Sequence, residues 1–125
     1  MEHHNGRITT HVLDTSRGVP AVGIRIELFF IERAGAEAGK IKVAEMLTNS
    51  DGRLDQPMLG DGKLQTGEYE LHFHVHSYFT RGNENELPAC LWTVVPIRFA
   101  VSDATSHYHI PLLIAPGGYS TYRGS

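Results

Sequence analysis

Apolar and polar residues alternate with a period of two along most of this chain, in short runs separated by turn residues. In the stretch VGIRIELFF the residues expected to share one face of a strand are Val22, Ile24, Ile26, Leu28 and Phe30. The chain has no long segment with the 3.6-residue period of an amphipathic helix. This pattern predicts an all-β protein of about eight short strands, arranged as an antiparallel β-sandwich.

Four short segments add detail to this prediction. Pro96 and Pro111 lie inside strand-like runs, and each predicts a bulge, an edge strand or a strand end, because proline cannot donate a hydrogen bond to the ladder. The segment ERAGAEAGK, residues 32–40, is typical of a long connection or an irregular strand end. The segment SYFTRGNE, residues 77–84, predicts one short helix with Ser77 as its N-cap.

The composition is that of one globular domain, which we expect to span residues 1–125. With 41% hydrophobic and 20% charged residues the chain can build a modest core. A net charge of −3 without a basic cluster gives no reason to expect nucleic acid as a partner. Neither a membrane span nor a signal-peptide core is visible, so we expect a cytoplasmic protein without a membrane partner.

The only cysteine, Cys90, excludes an intrachain disulfide, which fits a reducing compartment. A nucleophilic cysteine needs a surrounding that lowers the pKa of its thiol, and none is visible in the sequence. We therefore expect Cys90 to be a packed or loop thiol.

Histidines are frequent, with eight in 125 residues. In HFHVH the residues His72, His74 and His76 would project from one face of a strand and could hold zinc with one open position. Same-face neighbours lie roughly 7 Å apart, too far for three imidazoles to converge on one ion unless the strand curves. A polar outer face is the simpler interpretation, and it would extend to Glu68 and Glu70 as a solvated or subunit-facing surface.

Two other histidine patterns have the same spacing. His107 and His109 share a strand face near the end of the chain, and His11 shares one with Thr9 near its beginning. Spacing alone does not rank these pairs above HFHVH, and it assigns no chemistry to them.

Three longer motifs stand in order along the chain: ITTHVLDTSRGVPA at residues 8–21, TNSDGRLDQP at 48–57 and HYHIPLLIAPGGYSTYRGS at 107–125. Together they resemble the transthyretin-like family, and within it the 5-hydroxyisourate hydrolases, with the closing YRGS as the most specific mark. The resemblance implies a transthyretin-like (prealbumin-like) sandwich of two four-stranded antiparallel sheets with one short helix. It also implies a homotetramer whose active sites lie at the interface between two dimers.

The activity that the resemblance implies is the hydrolysis of 5-hydroxyisourate to 2-oxo-4-hydroxy-4-carboxy-5-ureidoimidazoline in urate catabolism, without a cofactor or a metal. By their places in the motifs, His11, Arg53 and His109 are implied as catalytic residues. The residues implied as substrate-binding are Tyr122, Arg123, Gly124 and Ser125. His107, the first histidine of HYH, is not among the implied positions.

These residue types suit the implied chemistry. A neutral imidazole is a suitable base near neutral pH, and we expect His11 and His109 to share this work without dividing it between them. The forked guanidinium of Arg53 can hold the ring and stabilise negative charge. Ser125 can orient a histidine or a water molecule, while Tyr122 and Arg123 would hold an ordered terminal segment in place.

Two other classes of function remain open from the sequence. A transthyretin-like carrier of a small ligand, of the thyroid-hormone type, would share the fold without catalysis. A structural or assembly module would use the sandwich only for contacts. A channel containing His11, Arg53 and His109 is polar and titratable, which favours the hydrolase over a carrier of an apolar aromatic ligand.

Overall fold

The computed structural model describes residues 5–34, 37–81 and 90–125, and these residues contain ten strands and one short helix. The strands are β1 Arg7–Thr9, β2 Val12–Asp14, β3 Val19–Pro20, β4 Arg25–Ala34, β5 Glu37–Leu47, β6 Gly67–His74, β7 Val94–Val101, β8 His107–His109, β9 Leu112–Ala115 and β10 Gly118–Thr121. The helix α1, His76–Thr80, lies between β6 and β7. Among the described residues no helix has the length and apolar character needed to cross a membrane.

Two four-stranded sheets form the sandwich, as predicted. One sheet has the order β5–β4–β6–β7 and is antiparallel throughout. The other has the order β10–β9–β2–β3, and in it β2 and β9 run parallel. A parallel pair of β1 with β8 continues this sheet, and backbone hydrogen bonds from Ile110 to Thr9 and from Leu112 to His11 connect the two pairs.

The expectation of purely antiparallel sheets is therefore wrong for this second sheet. The expectation failed because the period-two pattern shows which face of a strand a residue occupies but not the direction in which the strand runs. Parallel strands need a long crossover between them, and here nearly the whole chain lies between β1 and β8.

Side chains from both sheets meet in one hydrophobic core. Fully buried members are Val12, Leu112 and Ile114 from one sheet and Ile26, Leu28, Leu71 and Phe73 from the other. Most residues that the alternation of VGIRIELFF predicted to face inward do so. The exception is Val22, which precedes β4 and is 43% exposed.

The three histidines of HFHVH do not share one face. His72 and His74 lie on β6, but His76 begins the helix α1. The Nε2 atom of His72 lies 2.6 Å from a carboxylate oxygen of Glu70. The Nε2 atom of His74 lies 2.5 Å from a carboxylate oxygen of Glu27. These separate hydrogen-bond contacts with carboxylates, rather than a convergence on one point, account for the two strand histidines.

Of the two surfaces that we expected for Glu70, solvated or subunit-facing, the solvated one is wrong, since only 5% of the residue is exposed within one chain. Burial by itself raises the pKa of this carboxyl, but hydrogen bonds from His72, Lys40 and Arg98 outweigh that effect and lower the pKa to about 2. The outer face of β6 is thus a network of ion pairs.

The smaller predictions had mixed outcomes. Ser77 lies inside α1 and is not its N-cap, because the helix already begins at His76. Residues 82–84, the end of the predicted helical segment, lie outside the described residues. Pro96 is in the edge strand β7 and Pro111 lies between β8 and β9, as predicted.

The expectation that ERAGAEAGK is a long connection or an irregular strand end is wrong, while the expectation for Cys90 holds. Most of ERAGAEAGK belongs to the paired strands β4 and β5, with residues 35–36 outside the described part. Cys90 is a buried thiol whose Sγ–H donates to the carbonyl oxygen of Trp92 over 3.2 Å, and burial raises its pKa. The expectation of a packed thiol is confirmed.

Candidate active site

The parallel pairing of β1 with β8 places polar side chains from both ends of the chain on one face. The pairs in register are Arg7 with His107, Ile8 with Tyr108, and Thr9 with His109. Since side chains alternate across a strand, Ile8 and Tyr108 enter the core while their neighbours project to the opposite face. Both histidines of HYH therefore come to lie beside Thr9.

The Thr9 hydroxyl bridges the two histidines. Its Oγ1 atom lies 2.6 Å from Nε2 of His107 and 2.8 Å from Nδ1 of His109. The two imidazole centroids are 6.0 Å apart. All three side chains are partly buried, so this chain of hydrogen bonds is shielded from bulk water on one side.

The NSDGR turn brings Arg53 to the same place. Asn49 Oδ1 accepts hydrogen bonds from the backbone N–H groups of Asp51 and Arg53. Gly52 has a φ of 73° and its carbonyl accepts from Val12 N–H over 2.8 Å, while a Cβ at this position would collide with the Val12 carbonyl oxygen. The turn and β2 thereby form a single bridge between His11 and Arg53.

Burial first, and nearby positive charges second, set the protonation of the imidazoles in the site. Burial lowers the pKa of His109, and the charges of His107, Arg53 and His11 lower it further. Burial also lowers the pKa of His11, with the Arg53 charge adding to the effect against the raising influence of a hydrogen bond to the Asp51 carbonyl. At neutral pH both imidazoles are therefore neutral and able to accept a proton.

These side chains surround an open cavity of about 330 Å³. The residues that line it and that bear on its chemistry are Arg7, Thr9, Arg53, Asp55, His107, His109 and Ser125. The cavity is large enough for a small heterocycle, and its lining offers cationic donors, neutral imidazoles and one carboxylate, that of Asp55. It can hold a planar polar molecule and exchange protons with it.

The terminal segment is tied to β8 by its backbone. The Gly124 N–H donates to the His109 carbonyl over 2.8 Å, and the two residues form a single bridge. The Arg123 guanidinium donates to the His107 carbonyl over 3.2 Å and lies 4.5 Å from the centre of the Tyr108 ring. Ser125 is thus held at the edge of the cavity.

The structure brings some of the predicted site residues together and separates others. Arg53, His109 and Ser125 line the cavity, and His11 adjoins it through Arg53. The side chains of Tyr122 and Arg123 instead line a second cavity of about 270 Å³, which they share with Tyr108. Within one chain, Arg123 helps to anchor the terminal segment through its bond to the His107 carbonyl, and neither side chain lines the first cavity.

Sequence reasoning missed Thr9, His107 and Arg7 as parts of the site. The spacing of Arg7 with Thr9 and of His107 with His109 was visible, but each pair became meaningful only once β1 and β8 were known to be neighbours. A parallel alignment of RIT with HYH would have found them.

Comparison with known proteins adds to this picture, since the model of the HIUase/Transthyretin family matches residues 8–124. The chain belongs to this family. A curated relative from Halalkalibacterium halodurans, 5-hydroxyisourate hydrolase, is 48% identical over 121 residues, which cover 97% of this chain and 99% of the relative.

Solved structures of the family have the same fold. The structure of Klebsiella pneumoniae 5-hydroxyisourate hydrolase matches with a TM-score of 0.77 and 34% identity, covering 96% of this chain and 99% of that one. A crystal structure of (S)-allantoin synthase matches with a TM-score of 0.83 and 38% identity over all of this chain, which spans only 46% of that protein. The predicted transthyretin-like sandwich is confirmed.

We expect the substitution Arg53→Gln to raise the pKa values of both His109 and His11. The positive charge of Arg53 disfavours the protonated imidazoles, so its removal makes protonation easier. Titration of the histidine ring C–H signals by NMR measures both values. Arg98→Gln, which removes a cation from β7 in the other sheet, serves as the control and should leave them unchanged. Equal pKa values in wild type and Arg53→Gln would show that Arg53 does not act on these histidines.

Proposed function

We propose that this chain is a 5-hydroxyisourate hydrolase, which opens the ring of its substrate to give 2-oxo-4-hydroxy-4-carboxy-5-ureidoimidazoline in urate catabolism. The observation that carries the proposal is that His109 and Arg53 line one cavity, while His11 adjoins it through its bridge to Arg53. Support from the comparisons is the high identity over the full length of a curated relative that bears this name. The charged and titratable lining does not suit a carrier of apolar aromatic ligands.

The proposed mechanism follows from the geometry. His109, as a neutral base, accepts a proton from water while the water oxygen attacks a ring carbonyl carbon. The tetrahedral oxyanion that results is stabilised by the Arg53 guanidinium. When the ring carbon–nitrogen bond breaks, an imidazolium returns a proton to the leaving nitrogen. His11, beside Arg53, is placed to orient the water or to supply that proton, and Ser125 hydrogen-bonds to the substrate or to the water.

Removal of any of the three implied catalytic side chains should slow hydrolysis strongly. We expect His11→Ala, Arg53→Ala and His109→Ala each to lower kcat/KM by roughly 10²-fold or more, because base catalysis or oxyanion stabilisation is lost. The decay of freshly generated 5-hydroxyisourate, followed by its ultraviolet absorbance, measures the rate. His76→Ala, an exposed residue of α1, is the matched control. A variant with the wild-type rate would remove that residue from the mechanism, and an inactive wild type would overturn the proposal.

Gly124→Ala should reduce activity without disrupting the sandwich. A Cβ at this position would lie 2.5 Å from Cδ2 of His109, so the imidazole has to move away from its place beside Thr9. Displacement of a catalytic group by about 1 Å can cost up to about 10²-fold, and we expect a loss of at least about tenfold in kcat. Gly117→Ala is the control, since its Cβ would meet no atom within 4 Å. Equal rates for the two variants would show that the terminal segment does not hold His109.

We further propose that the protein is a homotetramer with its sites at the interface between dimers. In a single chain the cavity is open, and Arg53 and Ser125 are exposed, so a facing copy would be needed to exclude water from the reaction. Light scattering should give four times the chain mass of 13.9 kDa. A monomer mass in an active preparation would contradict this. The cytoplasmic location stays a prediction.

A further inference from the structure

The hydrogen bonds of the Thr9 hydroxyl to two histidines restrict where the protons on both imidazole rings can lie. A threonine hydroxyl has one proton to donate and lone pairs with which to accept. Here both of its partners are imidazole nitrogens, Nε2 of His107 at 2.6 Å and Nδ1 of His109 at 2.8 Å. With neutral rings, the hydroxyl donates to one of these nitrogens and accepts an N–H from the other. The tautomers of the two histidines are therefore coupled.

Two arrangements satisfy this coupling, and they give His109 opposite chemical roles. In the first, His109 Nδ1–H donates to Thr9, whose hydroxyl donates to His107 Nε2, and His109 Nε2 carries a lone pair. In the second, all the donors are reversed, and His109 Nε2 carries the proton. The Arg53 cation shares the cavity with His109, and it attracts a lone pair but repels an N–H dipole. The electrostatics thus favour the first arrangement.

We propose that Thr9 and His107 are positioning residues, which hold His109 in the tautomer whose Nε2 can accept a proton. The link between the three side chains is a property of the free protein. Its value for catalysis rests on the hydrolase function proposed above. His107 acts only through Thr9 in this scheme: without its acceptor nitrogen, the Thr9 hydroxyl is free to donate to His109 Nδ1, and the proton of His109 moves to Nε2.

The charged groups around His107 support its role as an acceptor. A protonated His107 would present Nε2–H to Thr9 and reverse the direction of the hydrogen bonds. Burial lowers the pKa of His107, and the positive charges of Arg7 and Arg123 lower it further. Arg53, and His11 when it is protonated, also disfavour a proton on His109. The acidic residue Asp55 lines the same cavity, yet the pKa values of both histidines are lowered. Both imidazoles therefore stay neutral at the pH at which His109 has to act as a base.

The first test reads the tautomer directly and needs no substrate. Long-range ¹H–¹⁵N spectra of the ¹⁵N-labelled protein distinguish a protonated ring nitrogen from one with a lone pair. In the wild type at neutral pH we expect His109 to carry its proton on Nδ1. In His107→Phe we expect the proton on Nε2, while His76→Phe, an exposed control, keeps the wild-type pattern. A wild-type His109 protonated on Nε2, or an unchanged tautomer in His107→Phe, would overturn the proposal.

The second test uses the rate of hydrolysis. Thr9→Val, which keeps the shape but loses the hydroxyl, should lower kcat roughly tenfold or more with a small change in KM, since the base is no longer in one defined form. Thr9→Ser should stay within about threefold of the wild type because it keeps the hydroxyl. Thr15→Val, whose hydroxyl donates only to the Ile114 carbonyl, is the control for the loss of a hydroxyl.

A double variant separates a linked pair from two independent residues. If His107 acts through Thr9, then Thr9→Val combined with His107→Phe should be no slower than Thr9→Val alone. Losses in kcat that multiply would show separate roles and overturn the proposal. A wild type without hydrolase activity would refute the proposed function instead, and the NMR measurement would still decide whether the three side chains are linked.

Discussion

The two ends of the chain lie side by side in parallel strands, and the site is built on this pairing. β1 and β2 run along β8 and β9, with residues about a hundred positions apart in hydrogen-bond contact, such as Thr10 Oγ1 with the Ile110 carbonyl at 2.6 Å. Contacts of such long range form only when most of the fold is in place, because the chain between them has to be ordered first. The imidazoles are therefore assembled by the complete sandwich and not by any local motif.

Arg53 is positioned differently, by a turn that its own neighbours encode. Asn49 caps the turn with its side-chain oxygen, and Gly52 supplies a backbone conformation that other residues rarely adopt. The turn then docks on β2 through the Val12–Gly52 hydrogen bond, which places the guanidinium beside His11. Arg53, which is positioned by its own turn, thus lies close to the histidines that are brought together from the two ends of the chain. This division explains why the TNSDGR motif can be recognised in isolation while the histidine cluster cannot.

The sequence predicted the faces of the strands well and their neighbours poorly. The alternation in β4 and β6 identified most of the buried side chains, because a residue's face depends only on its own strand. Strand direction, and with it the Thr9–His109 contact, depends on pairing between distant segments and has no local signal. HFHVH shows the opposite error: its alternation was read as one strand, but α1 begins at His76 and removes that residue from the face. The family motifs supplied His11, Arg53 and His109, whereas Thr9 and His107 emerged only from the three-dimensional structure.

The positive charges around His109, the proposed catalytic base, have two opposing consequences. Burial and the cations near His109 lower its pKa, which weakens it as a proton acceptor but keeps it in the neutral form at neutral pH. In the proposed mechanism the same Arg53 charge would stabilise the oxyanion that forms when water attacks, so it would act more strongly on the transition state than on the uncharged base. Stabilisation of the oxyanion by Arg53 offsets the lower basicity of His109 only if proton transfer and oxyanion formation occur together, close to the Arg53 guanidinium. Arg53 and His109 line a single cavity and His11 is bridged to Arg53, so the arrangement meets this condition.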